Sequence, residues 1–236
     1  MIVKVKLFAM LKESLGDEVE LQVPEPATVS SLMRRFVEEY PQFKHAAASL
    51  NVAVDHTYSP GDQPIAEGQE VAIIPPVSGG GGEGGGEKSG ALHEMADEPI
   101  DLNTLVAKVA SPRAGGIATF LGVVRDNSLG RKVLYLYYEA YPPMAVKEMA
   151  RVETAVRERW EIEAIAITHR TGRLEIGEAS VAIAVSSPHR KESIEACHFA
   201  IDRLKQTVPA WKKEYWEGGE IWIENAEGST IVQSTP

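Results

Sequence analysis

An α+β fold divided into two domains is predicted by three features of the sequence. Stretches with the two-residue period of strands and stretches with the 3.6-residue period of helices are interleaved irregularly, without the strand–helix alternation of a parallel α/β sheet. From Pro75 to Gly90 the chain reads PPVSGGGGEGGGEKSG, half of it glycine, which brings no side chain to a core and loses the most freedom on ordering. On both sides of that run enough apolar residues remain, at 44% hydrophobic content over 236 residues, to build a separate core.

The first domain opens with VKVKL, whose strict alternation is that of a half-buried strand, and a second strand, EVELQV, follows across a turn at Gly16-Asp17. Thr28 then caps a helix in which Val29, Leu32, Met33, Phe36 and Val37 share one face, ending before Pro41. The short strand NVAV, the turn-rich stretch HTYSPGDQPIAEG and the strand EVAII complete a small α+β roll.

The second domain begins with the helix DLNTLVAKVA. GGIATFLGVVRDNSLGRKVLYLYYEAY reads as a strand, a turn at Asn127 to Gly130, and a strand alternating Val133, Tyr135 and Tyr137 against Leu134, Leu136 and Tyr138. A long helix from Pro143 to about Trp160 precedes the strands EAIAIT and SVAIAV, which flank a turn, HRTGRLEIGE. A second long helix is predicted from Ser187-Pro188, with Ser187 as its cap, and EIWIEN is a closing strand.

The formal charge of −10 is uneven: residues 1–80 carry 6 basic and 11 acidic side chains, residues 81–98 carry 1 and 5, and residues 99–236 carry 17 and 18. Neither nucleic acid nor an anionic membrane is expected as a partner, since each needs a net basic face. The N-terminus MIVKVKLFAMLKESLG has no signal-peptide core and no run of eighteen apolar residues occurs, so the expected location is the cytoplasm. The single cysteine, Cys197, excludes a disulfide framework and a multi-cysteine zinc site; no metal is expected, and the thiol is expected to be structural.

The segment SSPHRKESIEACHFAIDRLKQTVPAWKKE carries most of the candidate chemistry. His189 and Arg190 fall in the predicted first helical turn, where unpaired N–H groups and the helix dipole favour an anion. They are either a solvated pair or a phosphate site. Lys205 sits at the edge of the stripe Ile194, Cys197, Ile201, Leu204 and Val208, where a lysine either snorkels to water or lines a pocket. Pro209 stops the helix, and WKK returns Lys212 and Lys213 to the same edge. GGGEKSG lacks the glycine before Lys88 and the flanking strand and helix of a phosphate-binding P-loop. His169 and Arg170 are expected to order a turn or a subunit contact, and Tyr135, Tyr137 and Tyr138 to serve core and interface.

Two resemblances meet in these residues. The order of elements in residues 1–80, ending in PPVSGG, resembles the ubiquitin-like β-grasp sulfur carriers, most of all the small, MoaD-like subunit of molybdopterin synthase. FLGVVRDN, SSPHR and LKQTVPAWKKE together resemble the large, MoaE-like catalytic subunit of the same family, from about Pro99 to Asn225. The implied organisation is a ubiquitin-like β-grasp carrier at 1–80, a Gly-rich linker at 81–98 and a MoaE-like α+β catalytic domain at 99–236.

What the family implies is conversion of cyclic pyranopterin monophosphate to molybdopterin, with sulfur supplied as a thiocarboxylate on the carrier's terminal glycine and no tightly bound cofactor. By this resemblance Gly79 and Gly80 are the sulfur-carrier terminus, and Arg125, His189 and Arg190 bind the substrate beside the backbone of Val123 and Val124. Lys205 is the principal catalytic residue, Lys212 its partner, and Lys213 and Glu214 line the same wall. The implied partners are an E1-like adenylyltransferase, a sulfur-donating enzyme and a second copy of the chain, joined through the catalytic domain. One departure stands out. The family's carriers end at the second glycine, whereas here the Gly80 carboxyl is already an amide, so the carrier is either cut free or serves only for docking while free carriers act in trans.

Overall fold

The computed structural model describes residues 1–77, 92–128 and 130–223. It divides into two units, Met1–Pro76 and Val77–Pro236. Gly79, Gly80 and most of the predicted linker lie outside the described residues.

The first unit contains β1 (Ile2–Leu7), α1 (Ala9–Leu15), β2 (Glu18–Gln22), α2 (Val29–Glu39), β3 (Asn51–Val54), β4 (Thr57–Tyr58) and β5 (Val71–Ile74). They form one sheet in the order β2-β1-β5-β3-β4, with β1 parallel to β5. Alternation does what it predicts: Val3, Val5 and Leu7 of β1 and Val19 and Leu21 of β2 turn inward onto Leu32 and Phe36 of α2. Thr28 caps α2 reciprocally, its Oγ1 accepting from the Ser31 N–H at 3.2 Å while Ser31 Oγ accepts from the Thr28 N–H at 2.8 Å. Between β1 and β2 the predicted simple turn is instead α1, too short for a helical period to register. Gly16, at φ 92°, is its C-cap and donates its N–H to the Lys12 carbonyl.

The second unit contains β6 (His93–Ala96), α3 (Leu102–Val109), β7 (Gly116–Val123), β8 (Asn127–Ser128), β9 (Arg131–Ala140), α4 (Pro142–Arg157), β10 (Ala164–Arg170), β11 (Gly172–Glu175), β12 (Ala179–Ser187), α5 (Arg190–Thr207), β13 (Ala210–Trp216) and β14 (Gly219–Ile223). One sheet runs β6-β10-β12-β7 and the other β11-β9-β13-β14. In the first sheet β10 and β12 are covered on both faces, which is why EAIAIT and SVAIAV read as nearly continuous apolar runs. Ala166, Ala182 and Ala184 meet Leu105 and Val109 of α3. Their branched neighbours Ile165, Ile167, Val181, Ile183 and Val185 pack with α4 and α5.

Three predictions about this unit are corrected. Residues 93–96, assigned to the linker, form β6, which pairs in parallel with β10 and is anchored by buried His93, whose Nε2 lies 2.8 Å from Glu153 Oε2. The predicted turn HRTGRLEIGE contains β11. WKKE, for which no element is predicted, lies in a full strand, β13, that pairs with both β9 and β14. The second long helix starts later than expected: Ser187 is the last residue of β12, His189 is the N-cap and Arg190 is the first helical residue. Ser187 Oγ donates to the His189 carbonyl at 2.6 Å instead of capping the helix.

Candidate active site

The C-terminal ends of β7 and α5 and the face of β13 nearest them enclose a cavity of about 460 Å³. Helical spacing brings Ile201, Leu204 and Lys205 onto one face of α5, and all three line it. From β13 comes Lys212, directly opposite Tyr138 of β9 in the antiparallel register, so both side chains share the cavity face. Arg125, just beyond β7, completes a set of three cations drawn from three segments of the chain.

Small features of the backbone make the space. Gly122 lines the wall where an added Cβ would lie 2.7 Å from Val181 Cγ1, so a larger residue there would have to displace the Val181 side chain. Opposite it the β7–β12 register shifts between Ala179 and Val181, leaving Ser180 at the irregularity. Ser180 lines the cavity and donates to the Gly122 carbonyl at 3.2 Å.

The two lysines of WKKE part company because a strand alternates. Lys212 Nζ sits 3.0 Å from Glu214 Oε1 on the cavity side. Lys213 is buried on the other face, paired with Glu220 and lying over the rings of Tyr215 and Trp222 at 5.4 and 5.6 Å. Glu214 thus holds Lys212, while Lys213 holds the β13–β14 hairpin, and neither Lys213 nor Glu214 lines the wall assigned to them. Lys205 is exposed and has no ion-pair partner among the described residues.

The other predicted residues divide in the same way. Val123 lines the cavity, but Val124 points into the small core of Val133, Leu136 and Leu174. Its backbone N–H donates to the Glu178 carbonyl at 2.9 Å and its carbonyl accepts from the Gly177 N–H at 2.9 Å, so the N–H is not available to a substrate. His189 and Arg190 lie at the far end of α5. The fifteen residues from Arg190 to Lys205 span about 22 Å at roughly 1.5 Å each. The near end of β7 agrees, since Gly115 and Gly116 pack under Pro188 and Arg190, with an added Cβ at Gly115 only 2.2 Å from the Pro188 carbonyl oxygen. Within one chain, therefore, His189 and Arg190 do not meet Lys205.

Two cavity residues were not anticipated. Tyr138, expected in the core or an interface, lines the cavity, and burial, with the Glu214 charge adding to it, raises its phenol above the usual range. His169, expected to order a turn, also lines it, with its imidazole edge-on to Tyr138 at 5.1 Å. Burial lowers the His169 pKa to about 4. Arg170 conforms better to expectation, ion-paired with Glu178 at 3.3 Å beside the β10–β11 connection. Burial pushes the Cys197 thiol up to about 11, in keeping with a packing role.

Comparison with known proteins bears on this arrangement of lysines. Over 143 residues the chain is 50% identical to the molybdopterin synthase catalytic subunit of Halalkalibacterium halodurans, covering 60% of this chain and 92% of that one. The chain belongs to the family of molybdopterin synthase catalytic subunits. This is an enzyme family, and the relatives in it include the Bacillus subtilis protein, 52% identical over 130 residues covering 55% of this chain and 83% of that one. The MoaE protein family model matches residues 95–207, and the ThiS family model matches residues 5–80. A ThiS-type domain thus precedes a molybdopterin synthase catalytic-subunit domain in one chain. Among solved structures, the molybdopterin synthase from Staphylococcus aureus is 42% identical, with a TM-score of 0.54, covering 55% of this chain and 95% of that one.

Proposed function

We propose that this protein makes molybdopterin in molybdenum cofactor biosynthesis, transferring sulfur from the thiocarboxylate of a carrier's terminal glycine to cyclic pyranopterin monophosphate. The observation that carries this reading is the convergence of Lys205, Lys212 and Arg125 on one cavity. Arg125 is suited to the substrate's anionic group. Lys205 supplies an amine for proton transfer or for engaging the thiocarboxylate carbonyl. Lys212, held by Glu214, supplies a fixed positive charge where negative charge develops during acyl and sulfur transfer.

His189 and Arg190 enter this reading through a second copy of the chain. A homodimer formed by residues 99–236 can present the start of one α5 to the cavity of the other, adding anion-binding N–H groups, an imidazole and a guanidinium that a single copy keeps about 22 Å away. The carrier reading of residues 1–80 further requires an E1-like adenylyltransferase and a sulfur-donating enzyme, acting in the cytoplasm, and a free carboxylate at Gly80. That last requirement favours cleavage after Gly80, because an amide carbonyl cannot be adenylated. The second reading, in which the fused carrier only docks and free carriers supply sulfur in trans, rests on the same amide bond.

The test is reconstitution with the adenylating enzyme, ATP, a sulfur source and the pyranopterin. A fusion shown by mass to be uncut is expected to be inactive, and a chain ending at Gly80 mixed with one beginning near Ala91 to be active. Turnover by the uncut fusion with no free carrier present would overturn the need for cleavage. Turnover of the catalytic piece with unrelated carriers but not with the Gly80-ended chain would select the docking-only reading, and no turnover with either would overturn the synthase assignment.

A further inference from the structure

His169 lies at the end of β10, and its ring is fixed from two sides. Its Nδ1 is 2.8 Å from the Arg170 carbonyl oxygen, which can only accept, so Nδ1 carries the proton. The ring plane stands at 71° to that of Tyr138, whose hydroxyl hydrogen-bonds Ser180. With Nδ1 as the donor, Nε2 is left as a bare acceptor, and it has no hydrogen-bond partner among the described residues. It is not sealed away. The unpartnered Nδ1 of His93 is closed off from solvent inside the protein, whereas Nε2 of His169 is not among such enclosed atoms and its ring lines the cavity.

A buried ring held in one tautomer, with its acceptor nitrogen open to a cavity, is complementary to a ligand donor. We propose that His169 is a substrate-contact residue whose Nε2 accepts a hydrogen bond from an N–H group of the bound pterin ring. The inference rests on the synthase reading given above and deepens it, since within one copy the side chains assigned there to the cavity are Arg125, Lys205 and Lys212, and none of them is given the role of acceptor for the heterocycle. Arg125, Lys205 and Lys212 are all donors, suited to the anionic group and the reacting carbonyl. The two roles are chemically distinct: His169 stays uncharged at neutral pH and reads the ring, while proton transfer remains with the lysines.

The experiment measures binding of the pyranopterin monophosphate to the full chain, without carrier thiocarboxylate so that no turnover intervenes. His169→Phe keeps a ring against Tyr138 and removes the acceptor; it is expected to weaken binding about tenfold. His169→Gln, which can present a side-chain carbonyl near the position of Nε2, is expected to recover most of that loss. The nitrogen resonance of Nε2 in the unaltered protein, which needs no variant to fold, should report an unprotonated ring before addition and a hydrogen-bonded one after it. Unaltered affinity in a folded His169→Phe protein, or an Nε2 resonance unmoved by saturating ligand, would overturn the contact alone. No binding by the unaltered protein would overturn both the contact and the synthase reading beneath it.

Discussion

The two units differ in what they bury. Twelve polar or charged side chains are buried among the described residues, from His93 to Glu214, and all of them belong to the second unit. In the first unit the core is aliphatic and aromatic throughout, and the charges stay outside, as in the pairing of Lys6 with Glu70 at 2.6 Å on a partly exposed edge. Burying polar groups costs stability unless each finds a partner, so a domain that does so repeatedly has spent sequence on something besides folding. The first unit has the composition of a scaffold. The second holds His169 and Ser180 against one cavity, with Glu214 behind them pairing Lys212, and there the chemistry is internal to the fold.

The contrast is broken most directly at the cavity. Lys205→Ala is expected to lower the rate of molybdopterin formation by about 10²–10⁴-fold, the range for loss of a positioned proton-transfer group, while leaving the thermal midpoint unchanged. Lys205 is exposed and contributes little core, so a variant with normal turnover would remove it from the mechanism.

In the first unit the corresponding blow is to packing. Phe36 is fully buried and stacks on Phe43 at 5.8 Å, and Phe36→Ala is expected to cost about 3–5 kcal/mol, most of what a domain of this size has. Separate melting of the first unit should drop sharply in calorimetry, with activity retained when a thiocarboxylated carrier is supplied from outside. Loss of that activity would show that the two units do not fold independently.

The smallest effect sharpens the comparison through pH. A histidine held near pKa 4 when folded and near 6.5 when unfolded binds its proton more readily in the unfolded state. Stability is therefore unaffected by His169 above pH 6.5 and declines as the pH falls from there to about 4, by up to roughly 3 kcal/mol. Urea unfolding of the second unit at stepped pH should show that decline. His169→Phe should flatten it between pH 6.5 and 5, above the range in which carboxylates such as Glu153 and Glu94 begin to protonate. A slope that persists in the variant would assign it to other groups.

Much of this was readable from residue order. The stripe of α5 through Cys197, Ile201 and Leu204 located Lys205 at an edge, although Ile194, counted in it, is 60% exposed; the alternation of β1 and β2 assigned their inward residues, and Thr28 marked the start of α2. What escaped was short or depended on a distant partner. β6 exists because its four residues dock beside β10 and His93 reaches Glu153, neither of which leaves a local period. Lys213 could not be told from Lys212 until β13 was seen to be a strand, since no element is predicted directly after Pro209 and a segment without one has no fixed faces.

By itself the sequence determined the two-domain division, the types of the long elements, the face each presents and the residues capable of chemistry. These follow from local sterics and from the periods of helix and strand, which act over a few residues. Only the tertiary structure decided which faces meet. The β9–β13 register set Lys212 opposite Tyr138, and the irregularity at Ser180 shaped the wall. The length of α5 separated Arg190 from Lys205, and His169 was turned from a loop residue into a cavity acceptor. Such pairings join residues tens of positions apart, and their free energy comes from burial and hydrogen bonding that exist only once the sheets have closed.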